Sequence, residues 1–189
     1  MRALAALVLV LAVAAPVAAQ QTLTSPYREQ QTSEIRGLSE KEIRELREGM
    51  GMGLARAAEL NGYPGPRHLL DAVEAGQMHL TPEQLQAVKH LFDGMSAEAK
   101  RFGDAILREE QALEAAFRQG AITEPDLQRR VAQIGQFQAE LRLAHLRTHL
   151  ETKTLLADHQ LQRYNQLRGY SSGAGSQGHH TDTEAQRLR

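Results

Sequence analysis

"AAFRQGAITEPDLQ" (residues 115–128) ends one long helix and begins another. Gly120 is the stop signal. Thr123 is a good helix N-cap with Asp126 three residues on, and Pro125 fits only in the first turn of a helix. Working backward, apolar residues recur from Leu85 through Val88, Phe92, Met95, Ala99, Phe102 and Ile106 to Leu113 and Phe117, in steps of four and three that only Glu109 breaks. That is a heptad-like helical seam. It opens at "LTPEQ" (residues 80–84), where Thr81 caps, Pro82 suits the first helical position and Gln84 can close a capping box. Unbroken from Pro82 to Gln119, such a helix is about 57 Å long. Working forward, Leu127, Val131, Ile134, Phe137, Leu141, Ala144 and Thr148 form a second seam. Two long helices joined by so short a turn must lie antiparallel.

The flanks predict shorter helices. Ser39 with Glu42 is a capping box, and Ile43, Leu46, Met50, Leu54 and Ala57 predict a helix running to about Leu60, stopped by "NGYPGP". Inside it, "GMGMG" (residues 49–53) costs about 1 kcal/mol per glycine relative to alanine and signals a kink or a close helix contact. Pro66 opens a helix that Gly76 ends, and "LLADHQLQRYNQLRGY" (155–170) is a last one ending at Gly169. No stretch alternates as a half-buried strand does. The expected fold is all-α.

Composition agrees. Aromatic residues make up 4 %, tryptophan and cysteine are absent, and the net charge is −1. A near-neutral chain gives no reason to expect nucleic acid as a partner. The first residues, "MRALAALVLVLAVAAPVAAQ", have the charged, apolar, small-residue layout of a secretory signal peptide, with cleavage expected after Ala19. The apolar run is shorter than the roughly 20 residues that span a bilayer. Export would put the chain in the periplasm with no disulfide to hold it, so packing must suffice. Residues 20–37 read as a flexible leader, 38–170 as one helical domain, and the Gly/Ser-rich 171–189 as a disordered tail.

"AHLRTHLETK" (144–153) carries two histidines four apart, His145 and His149, which lie on one helix face and can chelate one divalent cation. If Gln119 faces Glu124 across the turn, His145 faces Glu98 and His149 faces Gly94, next to the Met95 thioether. His68, with Asp71 three residues on, lies on the short helix that chain order brings near His149. Imidazoles suit Zn, Ni, Co or Cu, and a thioether favours copper. His79, His90 and His159 have no spaced partner, and His179 and His180 read as solvated tail residues. The Glu-x-x-His pairs of di-metal bundles and the His-Glu-x-x-His of zinc proteases are absent, so no enzyme is expected.

"LTPEQ" resembles the LTxxQ motif of the Spy/CpxP family, whose second copy falls where Leu156 and Gln160 stand, with Ala157 in place of Thr. "ELNGYPGPRHLLD" and "LRLAHLRTHLETKTLL" resemble its periplasmic heavy-metal sensor and resistance branch, over roughly residues 35–170. The resemblance implies a long helical hairpin wrapped by the terminal helices, as an antiparallel dimer. It also implies metal binding, as in the sensor-like members, or ATP-independent chaperoning of unfolded clients, as in the Spy-like ones; the two are compatible, and a membrane-bound regulator is a candidate partner. In the nickel/cobalt sensor, ligands come from a histidine pair before the long helix, a carboxylate on it, and a His-x-x-x-Met pair later. His145 matches the later histidine and His149 replaces the methionine. His68 matches the first of the early pair, with Asp71 about where the second should be. The carboxylate position falls near Phe92, so that ligand is missing.

Overall fold

The computed structural model describes residues 24–170. The leader-like first 19 residues and the tail from Ser171, with His179 and His180, lie outside them. After a single 3-10 turn at Arg28–Thr32 come α1 (Glu40–Glu48), α2 (Arg56–Glu59), α3 (Pro66–Glu74), α4 (Pro82–Arg118), α5 (Glu124–Thr154) and α6 (Asp158–Leu167). Among the described residues there is no strand, and no helix is long and apolar enough to cross a membrane.

The capped starts form as local chemistry dictates. The Glu42 carboxylate accepts from Ser39 N–H at 2.8 Å while Ser39 Oγ accepts from Glu42 N–H at 3.2 Å. Thr81 and Gln84 repeat this at 3.2 and 3.0 Å, and Thr123 Oγ1 accepts from Asp126 N–H at 3.4 Å. These bonds occupy backbone donors that a helix start otherwise leaves unpaired.

Two expectations need correcting. The helix opened at Ser39 stops at Glu48 rather than continuing to Leu60. Gly49 and Gly53 take the left-handed region at φ 65° and 74°, and Met52 joins them at φ 44°. Gly49 also lies against α4: a Cβ there would stand 3.0 Å from Lys100 N and 3.1 Å from the Ala99 Cβ. The glycines therefore make a turn and a close contact, and the turn delivers α2 separately to α5. Second, the segment before Ser39 is not all loose leader. Ile35 is buried in the core, Arg47 pairs with Glu34 at 3.0 Å, and Arg36 reaches Glu114 at 3.8 Å. With Ile35 and Leu38 the only apolar residues from Arg28 to Leu38, that stretch had no period to betray it.

The core is in two parts. Ile35, Ile43 and Leu46 pack on Ala99, Phe102 and Ile106 of α4 and on Leu141 of α5. Nearer the α3 end, Leu69 and Ala72 meet Met78, Val88, Leu156 and Tyr164. Each fully buried large side chain contributes about 1.5–3 kcal/mol. Phe117 and Val131, expected in the seam, are 56 % and 53 % exposed, because no third element covers the α4–α5 turn end.

Gln84 and Gln160 tie the second core together. Each Oε1 accepts its own helix-start N–H, from Thr81 at 3.0 Å and Ala157 at 2.9 Å. Each amide also donates to the other's Oε1, at 3.0 and 2.9 Å. The remaining protons go to the carbonyls of Leu155 and His79, each five residues before the opposite glutamine. The two five-residue segments thus relate by a local two-fold. Ala157 breaks the symmetry: its backbone has the same extended conformation as Thr81, but it has no oxygen to cap α6. Replacing Ala157 with threonine should add the missing cap and stabilise the fold by about 1 kcal/mol, read from urea denaturation.

Candidate metal centre

The second half of α5 buries a polar stripe: His145, Thr148, His149 and Thr152. The threonines satisfy themselves on their own helix, Thr148 donating to the Ala144 carbonyl at 2.9 Å and Thr152 to that of Thr148 at 2.7 Å. An imidazole cannot fold back this way and needs partners from elsewhere. Tyr63, just after α2, supplies one: His149 Nδ1 lies 2.8 Å from its carbonyl oxygen. A carbonyl only accepts, so Nδ1 carries the proton, and in the neutral ring the lone pair is on Nε2. Gly65 passes over the same ring. A Cβ there would stand 2.9 Å from His149 Cε1 and 3.0 Å from Nε2, so a side chain at Gly65 would press on the imidazole.

His145 Nε2 is buried with no hydrogen-bond partner. Burial, and then the neighbouring His149, hold its pKa below the ordinary 6.5. Glu59, the last residue of α2, is bound on one side only. Its Oε1 accepts from Tyr164 Oη at 2.9 Å, Arg168 Nε at 3.0 Å and Tyr170 Oη at 3.3 Å. Its Oε2 is buried without a hydrogen bond, 3.8 Å from His149 Nδ1. Tyr164 Oη also accepts from Gly65 N–H at 3.3 Å, so α6 holds both α2 and the loop over His149.

His68, on α3, borders this group. Its side chain is half exposed, and its pKa is lowered by burial and then by the Arg168 charge, against opposing effects of Glu59 and Asp71; His149 lowers it too. The Asp71 carboxylate is turned outward, paired to Arg67 at 3.1 Å and standing 3.9 Å from His68 Nδ1. Met95 is half-buried on α4. The facing expected from the turn does not hold: a Cβ at neighbouring Gly94 would meet nothing within 4 Å, while His149 lies against Tyr63 and Gly65. Ala144 and Thr148 are buried beside the pair, and His149, one position after Thr148 and so rotated from it by about 100°, reaches the α2–α3 connection through Tyr63.

Thus α5 supplies two imidazoles side by side, α3 borders them with a third, and α2 adds a carboxylate oxygen with a free lone pair. Among the described residues no three His, Asp or Glu side chains are gathered closely enough to hold a metal ion as they stand. Glu59, Gly65 and Tyr164 are the members that sequence reasoning missed. The one signal for Glu59 was a carboxylate two residues before the "NGYPGP" stop. No family model, curated protein or solved structure matches the chain.

The lowered pKa of His145 has a consequence for stability. The unfolded chain takes up the proton first as pH falls through 6.5, so this contribution is complete above that pH and is lost below it. Melting temperature should therefore fall as pH goes from 7.5 to 5.5, and His145→Leu should flatten the profile without lowering stability at pH 7.5.

Proposed function

We propose that this chain is a periplasmic heavy-metal-binding protein of the Spy/CpxP sensor and resistance type. In this reading it holds one divalent transition-metal ion between helices through neutral imidazoles. His145 and His149 are the principal ligands, with His68 swinging in from its half-exposed position. The observation that carries the reading is the unpartnered Nε2 of buried His145. Leaving a buried polar atom unpaired costs about 1–3 kcal/mol, and a metal ion uses that lone pair. His149 adds the arrangement of a metal-ready histidine, its Nδ1–H held by a backbone carbonyl so that Nε2 is free to ligate. The free Glu59 oxygen offers the charge that two neutral imidazoles lack. Nitrogen and oxygen donors of this kind suit Zn, Ni, Co or Cu. Asp71, committed to Arg67, and Met95, on the α4 side, are weaker candidates. The leader-like first residues support export, and the long α4–α5 pair braced by the shorter helices supports the Spy/CpxP arrangement, with a second copy of the chain and a membrane-bound regulator as partners.

Elemental analysis of the purified chain and calorimetric titration with each of the four ions test this. One equivalent should bind, and His145→Leu and His149→Ala should each weaken it by at least about tenfold while melting remains cooperative. Equal affinity in His145→Leu would remove the site.

The alternative, an ATP-independent holdase, is favoured by one observation. A groove of about 510 Å³ beside α1 is lined by Leu46, Met52, Leu54, Ile106 and Leu141, and burial there raises the Glu110 pKa. Suppression of a model client's aggregation without metal is its test, and no effect at stoichiometric excess counts against it.

A further inference from the structure

The chain has no cysteine and five methionines, so thioethers are its only sulfur. Met1 lies outside the described residues, and the other four differ widely in exposure. Met50 and Met52 are 49 % and 36 % exposed, Met95 is half-buried, and Met78 is 3 % exposed in the second core. The two exposed ones share the "GMGMG" turn, where each has a glycine on either side and no adjacent side chain to shield it. A Cβ at Gly51, between them, would meet nothing within 4 Å. Susceptibility of a thioether to oxidation follows its exposure.

Backbone preference does not account for Met52. It takes a positive φ of 44°, a region that glycine enters freely and a long L side chain enters at a cost. Its place in the fold gives it a consequence. Met52 lines the groove of about 510 Å³ beside α1, together with Leu46, Leu54, Ile106 and Leu141. Leucine would line that groove equally well. What a thioether adds is a sulfur lone pair that takes up oxygen, and the sulfoxide so formed is polar where the thioether was apolar. Gln138 and Arg142 also line the groove, and both can donate to a sulfoxide oxygen.

We propose that Met50 and Met52 form a reversible oxidation site, and that Met52 sulfoxide closes the groove to apolar ligands. The oxidant is a peroxide. The sulfur lone pair attacks one peroxide oxygen, the O–O bond breaks as the S–O bond forms, and with hydrogen peroxide the other oxygen leaves as water. The thioether gives up two electrons and the peroxide takes them. A methionine sulfoxide reductase reverses the change, two electrons and two protons carrying the oxygen off as water. The closure rests on the groove being a binding surface, as in the holdase reading, and involves none of the candidate metal ligands.

Timed treatment of the purified chain with hydrogen peroxide, followed by peptide mass mapping, tests the site. Met50 and Met52 should gain oxygen at least about tenfold faster than Met78. Nile red, a neutral apolar dye, tests the closure by fluorescence titration at a dose that leaves Met78 unoxidised. The reduced chain should bind the dye, and Ala139→Trp, which fills the groove from α5, should weaken that binding. Oxidation should raise the wild-type dissociation constant at least about tenfold, as a polar oxygen among apolar side chains does. Oxidised Met52→Leu should keep the affinity of the reduced chain, while oxidised Met50→Leu should lose it as wild type does. Oxidation of Met78 as fast as Met52 overturns the site. A reduced chain that binds no dye, or binds it equally as Ala139→Trp, overturns the groove and its closure together. An oxidised wild-type chain that binds as tightly as the reduced one, or an oxidised Met52→Leu chain that loses affinity, overturns the closure alone.

Discussion

Gly103→Ala is expected to destabilise the protein by about 3 kcal/mol, while Gly94→Ala, nine residues earlier on the same helix, stabilises it by about 0.5–1 kcal/mol. Both glycines sit inside α4 and both lower helix propensity. They differ in what lies outside the helix. At Gly94 a methyl group meets open space. At Gly103 it overlaps the carbonyl oxygen of Leu46 and stands 2.7 Å from the carbonyl carbon. Leu46 is near the end of α1, whose Ile43 and Leu46 fill one side of the first core. Backbone cannot rotate away as a side chain can, so α1 must lift off α4 and expose part of that core. Urea denaturation reads both changes. With a slope of about 2 kcal/mol/M, the Gly103→Ala midpoint drops by about 1.5 M and the Gly94→Ala midpoint rises slightly. A Gly103→Ala midpoint near that of wild type would show that α1 is not seated on the α4 backbone.

The same contrast explains which parts of the fold were legible. Ser39, Thr81 and Thr123 announced their helices because a cap bonds to residues within three positions of itself. The fate of residues 49–53 was not legible. A glycine lowers helix propensity whether the chain kinks or stops, and the deciding contact, Gly49 against Ala99 and Lys100, is made by residues fifty positions away. Gly103 was invisible for the same reason: nothing local distinguishes it from Gly94. The heptad pattern placed Val131 and Phe117 inside, but a seam buries a residue only where a third element covers it.

At the candidate site, spacing put His145 and His149 on one face and chain order put His68 near them, since helical geometry and a short connection are local facts. Spacing could not say what His149 would meet, because its partners, the Tyr63 carbonyl and Gly65, come from a connection more than eighty positions earlier. It missed Glu59 because no motif links a carboxylate at the end of one helix to histidines ninety positions on. Asp71 looked like a ligand by proximity to His68, and Arg67, one turn earlier, holds it outward.

Glu59→Ala carries the second large effect, a loss of about 2–3 kcal/mol. Glu59 is 12 % exposed and fixes the end of α6 through Tyr164, Arg168 and Tyr170. Removing one partner of a buried charged pair costs about 3–5 kcal/mol, because the other is left uncompensated. Two features reduce that here. Arg168 is 33 % exposed and can turn to water, and the buried Oε2 with no hydrogen bond is itself a cost that the substitution removes. Tyr164 does not escape so easily. It is 1 % exposed, and its Oη keeps only the Gly65 N–H as partner. The loss should therefore appear both in denaturation and as faster tryptic cleavage after Arg168. Tyr164→Phe, which removes the hydroxyl and leaves the carboxylate, separates the terms and should cost about 1–2 kcal/mol. If Glu59→Ala costs less than about 1 kcal/mol and leaves cleavage unchanged, the carboxylate does not anchor α6, and its role lies with the free oxygen facing His149. In that case the substitution should show itself in weaker metal titration instead.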